Sequence, residues 1–304
     1  MGTALMISTV TDVLSSFGLL AEGETTRVHV GLTRGDTLWI DVFRKGGSFI
    51  HAKVAEYITL REEVRAHGDA FDKFGTFVPR PLGYVVQDGL EIFATEGVEH
   101  GPLWPNPLGD SWRANSLARE FLRFFEASGR VAKTSDPRHV HAALLGKIRT
   151  TLAGTGALSV AERWNTEEGL SELESLGAVP QHGDFVVNNV GTKGSRLIVF
   201  DWEDFGKVSL PGFDLCTLAM SLADAEVPGI TFERYGRGSD RLLSFLKPAC
   251  GAIGLDIDQF WRLVPLYLLT FLYLKQGYAA GIRTRIALLL RQIVDGAMSD
   301  ASTT

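Results

Sequence analysis

Residues 181–190 read Gln181-His182-Gly183-Asp184-Phe185-Val186-Val187-Asn188-Asn189-Val190, and residues 197–203 read Leu197-Ile198-Val199-Phe200-Asp201-Trp202-Glu203. Between them Lys193-Gly194 separates two β-rich runs, so the pattern predicts a tight hairpin. Such a hairpin would fold Asp201 back beside Asn189 and Asp184, gathering two carboxylates and an amide oxygen in one polar pocket. Hard oxygen donors of this kind suit Mg²⁺, which prefers carboxylates, substrate phosphates and water. A carboxylate near the metal but off it can orient or deprotonate a hydroxyl. Taken singly, Asp184 and Asn189 would serve equally well as turn or cap residues. Asp201 alone could simply close a strand. The joint spacing is what favours chemistry.

Working outward, the chain has 304 residues, a length that suggests two domains or lobes. Lys and Arg total 30 against 36 Asp and Glu, giving a net charge of −6, which argues against a basic nucleic-acid-binding surface. Two cysteines, Cys216 and Cys250, cannot form a disulfide scaffold and fit a reducing compartment. The notable apolar run, Leu263 to Leu274, is closed by Arg262 and Lys275 and falls short of the roughly 20 residues of a membrane span. The N-terminus lacks a basic region, apolar stretch and cleavage site, so the expectation is a cytoplasmic protein without a membrane partner.

The first hundred residues mix strand and helix. Arg27 to Leu32 and Thr37 to Phe43 flank a turn at 33–36, predicting a hairpin. Ala52 to Arg65 shows Val54, Ile58 and Leu60 near helical spacing and predicts a helix. Phe77 to Gly83 holds two prolines and cannot be helix interior. Tyr84-Val85-Val86 and Leu90 to Ala94 predict a second hairpin. Beyond Pro102 the character changes: Trp104 to Pro107 is irregular, and Leu117 to Ala127 and Val140 to Leu152 read as helices. The part from Phe213 onward is mostly helical. The predicted division is a nucleotide-binding lobe over 1–98 and a catalytic, substrate-binding lobe over 99–304.

The His-x-Asp element, with Asn five residues on and a downstream Asp, resembles the catalytic loop of protein kinases. The His182-Gly183-Asp184 form, with Phe200-Asp201-Trp202-Glu203 and Pro211-Gly212-Phe213-Asp214-Leu215, is more similar to the aminoglycoside phosphotransferase/choline kinase-like family. The resemblance is strong over 181–216 and weaker over Val78 to Gly83. It implies an α+β, two-lobed protein-kinase-like fold and an ATP- and Mg²⁺-dependent transfer of phosphate to a small-molecule hydroxyl. It implies Asp184 as the catalytic group on the acceptor, and Asn189 and Asp201 as metal ligands. His182 would brace the loop from the core. Asp214 would either hydrogen-bond that loop or cap the helix beginning near Phe213. Trp202 and Glu203 read as packing or supporting residues.

For the nucleotide, the resemblance implies a hinge at Thr95-Glu96-Gly97-Val98, where backbone groups act and an ordinary β-edge would look the same. It also implies a third-strand Lys paired with a helix Glu. Taking Trp39 to Phe43 as that strand puts Asp41 at the Lys position, and a carboxylate there repels phosphate. Three alternatives stay open: Arg27 as a substitute cation reaching into the cleft, Lys45 on the same strand face, or a different strand boundary, against which the alternation argues. Lys45 lies about 13 Å further along the strand. Glu56, on the helix predicted from Ala52, is the matching Glu, unless it is a solvated helix residue. The loop Ala21 to Thr26, with one glycine and two acids, is a poor phosphate cradle. These features leave a second reading, a pseudokinase-like protein that binds a nucleotide or metabolite without transferring phosphate.

Overall fold

The computed structural model describes residues 3–21, 25–32, 37–45, 47–98, 116–153, 158–226, 240–276, 284 and 286–288. The irregular Trp104 to Pro107 stretch, residues 22–24 of the loop Ala21 to Thr26, and the lobe crossing from residue 99 fall outside them. The chain divides into two compact units, Met1–Gly101 with Val190–Glu203, and Pro102–Asn189 with Asp204–Thr304. By compactness, the hairpin segment 190–203 groups with the first unit.

In the first unit, α1 (Thr3–Ser16) precedes β1 (Thr25–Leu32), β2 (Thr37–Arg44) and β3 (Phe49–Ala55). Then come α2 (Arg61–Phe74), β4 (Pro81–Gln87) and β5 (Leu90–Glu96). The five strands form one sheet in the order β1-β2-β3-β5-β4, each pair antiparallel. Strand side chains alternate in direction. One face presents Ile40, Val42, Ile50, Ala52, Val54, Ile92 and Ala94, and these bury against Val10, Val13 and Leu14 of α1. The opposite set contains Asp41, His51 and Thr95 in one cross-strand row and Trp39, Lys53 and Phe93 in the next. Phe93, Ala55 and Leu60 form a smaller cluster with Val64 of α2.

The helix expected over Ala52 to Arg65 is not formed. Residues 49–55 are β3, and the helix starts at Arg61. Two patterns compete there, Val54/Ile58 at a spacing of four and Ile50/Ala52/Val54 at a spacing of two. A turn at Gly47, with φ 87°, and the Arg44 N–H bond to the Ser48 carbonyl close a β2–β3 hairpin and decide for the second. Ile58, needed for the helical stripe, is 48% exposed.

In the second unit, α3 (Ser116–Arg130), α4 (Pro137–Thr151), α5 (Leu158–Trp164) and α6 (Glu167–Leu176) lead to the 181–189 loop. After β6 (Val190–Lys193) and β7 (Arg196–Val199), which pair antiparallel in the first unit, come α7 (Phe213–Glu226), α8 (Asp240–Ala252) and α9 (Ile257–Leu274). Its core includes an aromatic group in which Phe124 stacks on Phe185 at 4.6 Å and Phe121 and Phe125 meet it edge-on. Phe185 thereby anchors the loop immediately after Asp184. Among the described residues no helix is long and apolar enough to cross a membrane.

Candidate active site

The first unit carries a charged cluster on the sheet face opposite α1. Lys53, from the middle of β3, donates to Glu63 of α2 at 2.7 Å and to Glu203 at 3.2 Å. Glu63, Asp201 and Glu203 each bring a carboxylate oxygen to within 4.8 Å of the others. One ammonium thus faces three carboxylates, a formal excess of two negative charges. Burial alone would lower the Lys53 pKa, but Glu63, Glu203 and Asp201 outweigh it and hold that ammonium well above its ordinary value. Burial pushes the Glu63 carboxyl up, and the neighbouring Glu203 charge adds to this against the pull of Lys53. An excess charge of −2 on hard oxygen donors matches a divalent cation such as Mg²⁺. Asp201 adopts φ 64°, a left-handed conformation uncommon for a residue with a Cβ.

The third strand is not the one expected from the sequence. Trp39 to Phe43 belongs to β2, and the third strand is Phe49–Ala55. Lys53 stands on it, and its helix partner is Glu63. Glu56 sits in the loop between β3 and α2, not on a helix. Asp41 lies beside the cluster and binds His51, whose Nδ1 is 2.7 Å from Asp41 Oδ1, so that nitrogen carries the proton; His29 Nδ1 is 4.0 Å away. Arg27 places its guanidinium over the Phe43 ring, 4.1 Å from the centroid. Lys45 lies past the end of β2 and is exposed.

Thr95 and Glu96 end β5, and Gly97 and Val98 follow it. The Gly97 N–H donates to the Phe49 carbonyl, and a Cβ on Gly97 would lie 2.2 Å from the Phe49 ring, so the close approach demands glycine. A cavity of about 530 Å³ adjoins this stretch, lined in part by Phe71, Val78, Arg80, Gly97, Val98 and Ile198.

The second unit holds the loop built on His182, Gly183 and Asp184. Asp214, at the first turn of α7, accepts the His182 N–H at 2.7 Å and the Gly183 N–H at 3.0 Å. Complete burial pushes its carboxyl up to about 7, against the pull of those two donors; the Asp184 charge raises it further. His182 Nδ1 accepts the Asp184 N–H at 3.1 Å, so the buried ring braces the loop. Gly183 has φ 89°, and a Cβ there would sit 2.7 Å from the Asp204 Cβ. Asn189 Nδ2 donates to the Asp184 carbonyl at 2.9 Å. That donation identifies which end of the amide is oxygen, leaving Oδ1 as its metal-capable atom. The structure thus gathers Asp184, Asn189, His182 and Asp214 in one unit and places Asp201 with Lys53 in the other.

No family model matches this sequence, and no curated protein matches it. Solved structures do. The macrolide 2′-phosphotransferase from Brachybacterium faecium is 15% identical, with TM-score 0.57 over 93% of this chain and 97% of that one. The choline kinase from Streptococcus pneumoniae is 14% identical, with TM-score 0.57 over 94% and 99%. A candidate fructosamine-3-kinase from Thermobifida fusca is 18% identical, with TM-score 0.59 over 92% and 97%. This chain has the protein-kinase-like fold. It is α+β and two-lobed, and at these identities the likeness speaks for the fold. Lys53, Glu63, Asp204 and Lys275 escaped the sequence reading. The Ile50/Ala52/Val54 alternation after Gly46-Gly47 was the signal that could have revealed Lys53.

Proposed function

We propose that this protein is a Mg²⁺- and ATP-dependent phosphotransferase acting on a hydroxyl of a small molecule. The observation that carries the reading is the Lys53–Glu63 pair at 2.7 Å, flanked by Asp201 and Glu203. Lys53 would bind the nucleotide phosphates, with Glu63 setting its direction. The hinge backbone at Thr95 to Val98 would take the base, with Arg27 at the edge of the same sheet; Glu56 drops out in favour of Glu63. Asn189 and Asp201 would hold Mg²⁺, which when bound offsets the charge developing on the transferred phosphoryl group.

Asp184 would orient the acceptor hydroxyl and take its proton as the oxygen attacks phosphorus. His182 and Asp214 support that step by fixing the loop backbone. Phosphoryl transfer of this kind depends on positioning and charge stabilisation and requires no covalent enzyme intermediate. The pseudokinase reading rested on Asp41 and on the glycine-poor loop. With Lys53 on the third strand, Asp41 no longer argues for it.

A small-molecule acceptor is supported by the structural neighbours, which include a macrolide phosphotransferase, an aminoglycoside phosphotransferase, a choline kinase and an ethanolamine kinase. Incubation with ATP, Mg²⁺ and a panel of aminoglycosides, macrolides, amino alcohols and fructosamines tests the reading. ADP formation that depends on both Mg²⁺ and one acceptor supports it. Failure of ATP–Mg²⁺ to raise the unfolding temperature would reject it.

A further inference from the structure

The apolar run Leu263 to Leu274 of α9 is bounded by two cations with opposite fates. Arg262 is half exposed and reaches Glu172 on the surface. Lys275, one residue past the end of α9, is 2% exposed. Its Nζ lies 2.6 Å from Asp204 Oδ2 and 3.1 Å from Asp184 Oδ2. A lysine at a helix C-terminus ordinarily stays in water, where it gains from the helix dipole at little cost. Burying an ammonium is costly unless charged partners surround it.

Service to Asp204 alone does not account for the burial, because Asp204 already receives Lys207 at 2.7 Å from the surface side. Burial alone would raise the Asp204 carboxyl, yet Lys275 and Lys207 together hold it below its ordinary value. The feature that requires a second, internal cation is Asp184. We propose that Lys275 is a positioning residue for Asp184, its ammonium fixing the direction in which that carboxylate faces. The inference rests on the reading of Asp184 as the group that meets the acceptor hydroxyl.

The geometry explains how. Asp184 comes from the loop braced by Asp214 and His182, Asp204 from the short turn at Trp202–Asp204, and Lys275 from the end of α9. One ammonium ties these three stretches together. With Oδ2 of Asp184 held by the cation, rotation about the side chain is restricted, and Oδ1 is the oxygen assigned to the hydroxyl. Asp204 completes the arrangement by holding Lys275 at 2.6 Å, which keeps the lysine from following Asp184 if the latter turns.

Removing Lys275 alone would strand two buried carboxylates and endanger folding, so the test uses the double variant Lys275→Met/Asp204→Asn. It carries the same net charge as the wild type at this spot. The expected result is a fold retained by circular dichroism, an unchanged KM for ATP, and a kcat lowered about 100-fold in the assay with ATP, Mg²⁺ and the best acceptor of the panel. Adding Lys275→Met to Asp184→Asn should cost nothing further, since the lysine acts through Asp184. A residue that only stabilised the fold would lower both backgrounds alike.

A crystal structure of the double variant should show the Asp184 carboxylate turned from its wild-type direction. This readout stands even if no panel acceptor is turned over. Wild-type kcat in the double variant, or an unmoved Asp184 carboxylate, overturns the proposal. If Asp184→Asn itself keeps full activity, the assignment of Asp184 fails instead. An inactive Asp184→Asn beside an active double variant sinks the Lys275 proposal alone.

Discussion

Lowering the pH should loosen α2, the helix that carries Glu63, through one buried imidazole. His67 lies one turn beyond Glu63, is 5% exposed, and donates from Nε2 to the Pro79 carbonyl at 2.7 Å. Burial pushes its pKa down from 6.5 to about 4, outweighing the opposite pull of that hydrogen bond. The folded state therefore holds His67 neutral where the unfolded chain would bind a proton. The stability contributed by the neutral ring is complete above pH 6.5 and is lost as pH falls towards 4. A difference of 2.5 units corresponds to at most about 3 kcal/mol, from 1.36 kcal/mol per unit. Asp214, raised to about 7, works in the opposite sense, losing stability as pH rises from about 4 through 7. The stability difference between wild type and His67→Gln cancels that common slope, and Gln retains an N–H for Pro79. Urea unfolding from pH 4 to 7.5 should show the wild type losing about 3 kcal/mol more than the variant on acidification. Histidine-selective NMR should find the His67 ring untitrated until near pH 4. A ring titrating near 6.5, or parallel stability curves for the two proteins, refutes the reasoning.

Lys53→Met should reduce kcat/KM for ATP about a thousandfold. A unit charge 4 Å from a phosphate at an effective dielectric of 20 is worth about 4 kcal/mol; a reduction under tenfold would exclude contact with the phosphates. Asp201→Ala should weaken ATP binding by calorimetry with Mg²⁺ present and matter little in EDTA; equal losses in both would point away from a metal ligand. Asp41→Lys should leave ATP affinity unimproved, because Lys53 already supplies the cation, and should break the bond to His51; tighter binding by titration would count against the strand assignment. Gly183→Ala should cost about 2 kcal/mol or more in urea unfolding, from its φ of 89° and the close Asp204 Cβ; an unchanged midpoint would show that the loop relaxes freely.

How far the sequence could be read depended on how local the signal was. The β6–β7 hairpin was readable because Lys193-Gly194 separates two short β-rich runs that pair directly across it. Asp214 was readable for a similar reason, as it opens a helix just after Gly212. Lys53 was not, because Phe49 to Leu60 carries two overlapping periodicities and a short glycine turn arbitrates between them. Choosing the helix moved the third strand forward by one and left Asp41 in the lysine's place. Lys275 was read as the polar end of an apolar run. Its burial depends on carboxylates 71 and 91 residues away in sequence, and no local pattern reports such a contact.

Asp201 holds a backbone conformation that glycine or asparagine adopts more comfortably, and it adds a third negative charge beside a single lysine. Replacing it would relieve both penalties, with the left-handed backbone alone costing roughly 1 kcal/mol. On the proposed reading of Asp201 as a metal ligand, the sequence that folds best is then not the one that works. A laboratory selection that rewards thermal tolerance without demanding turnover should accumulate changes at position 201 early. A heat-hardened descendant with Gly or Asn at that position would be a well-folded but inactive protein.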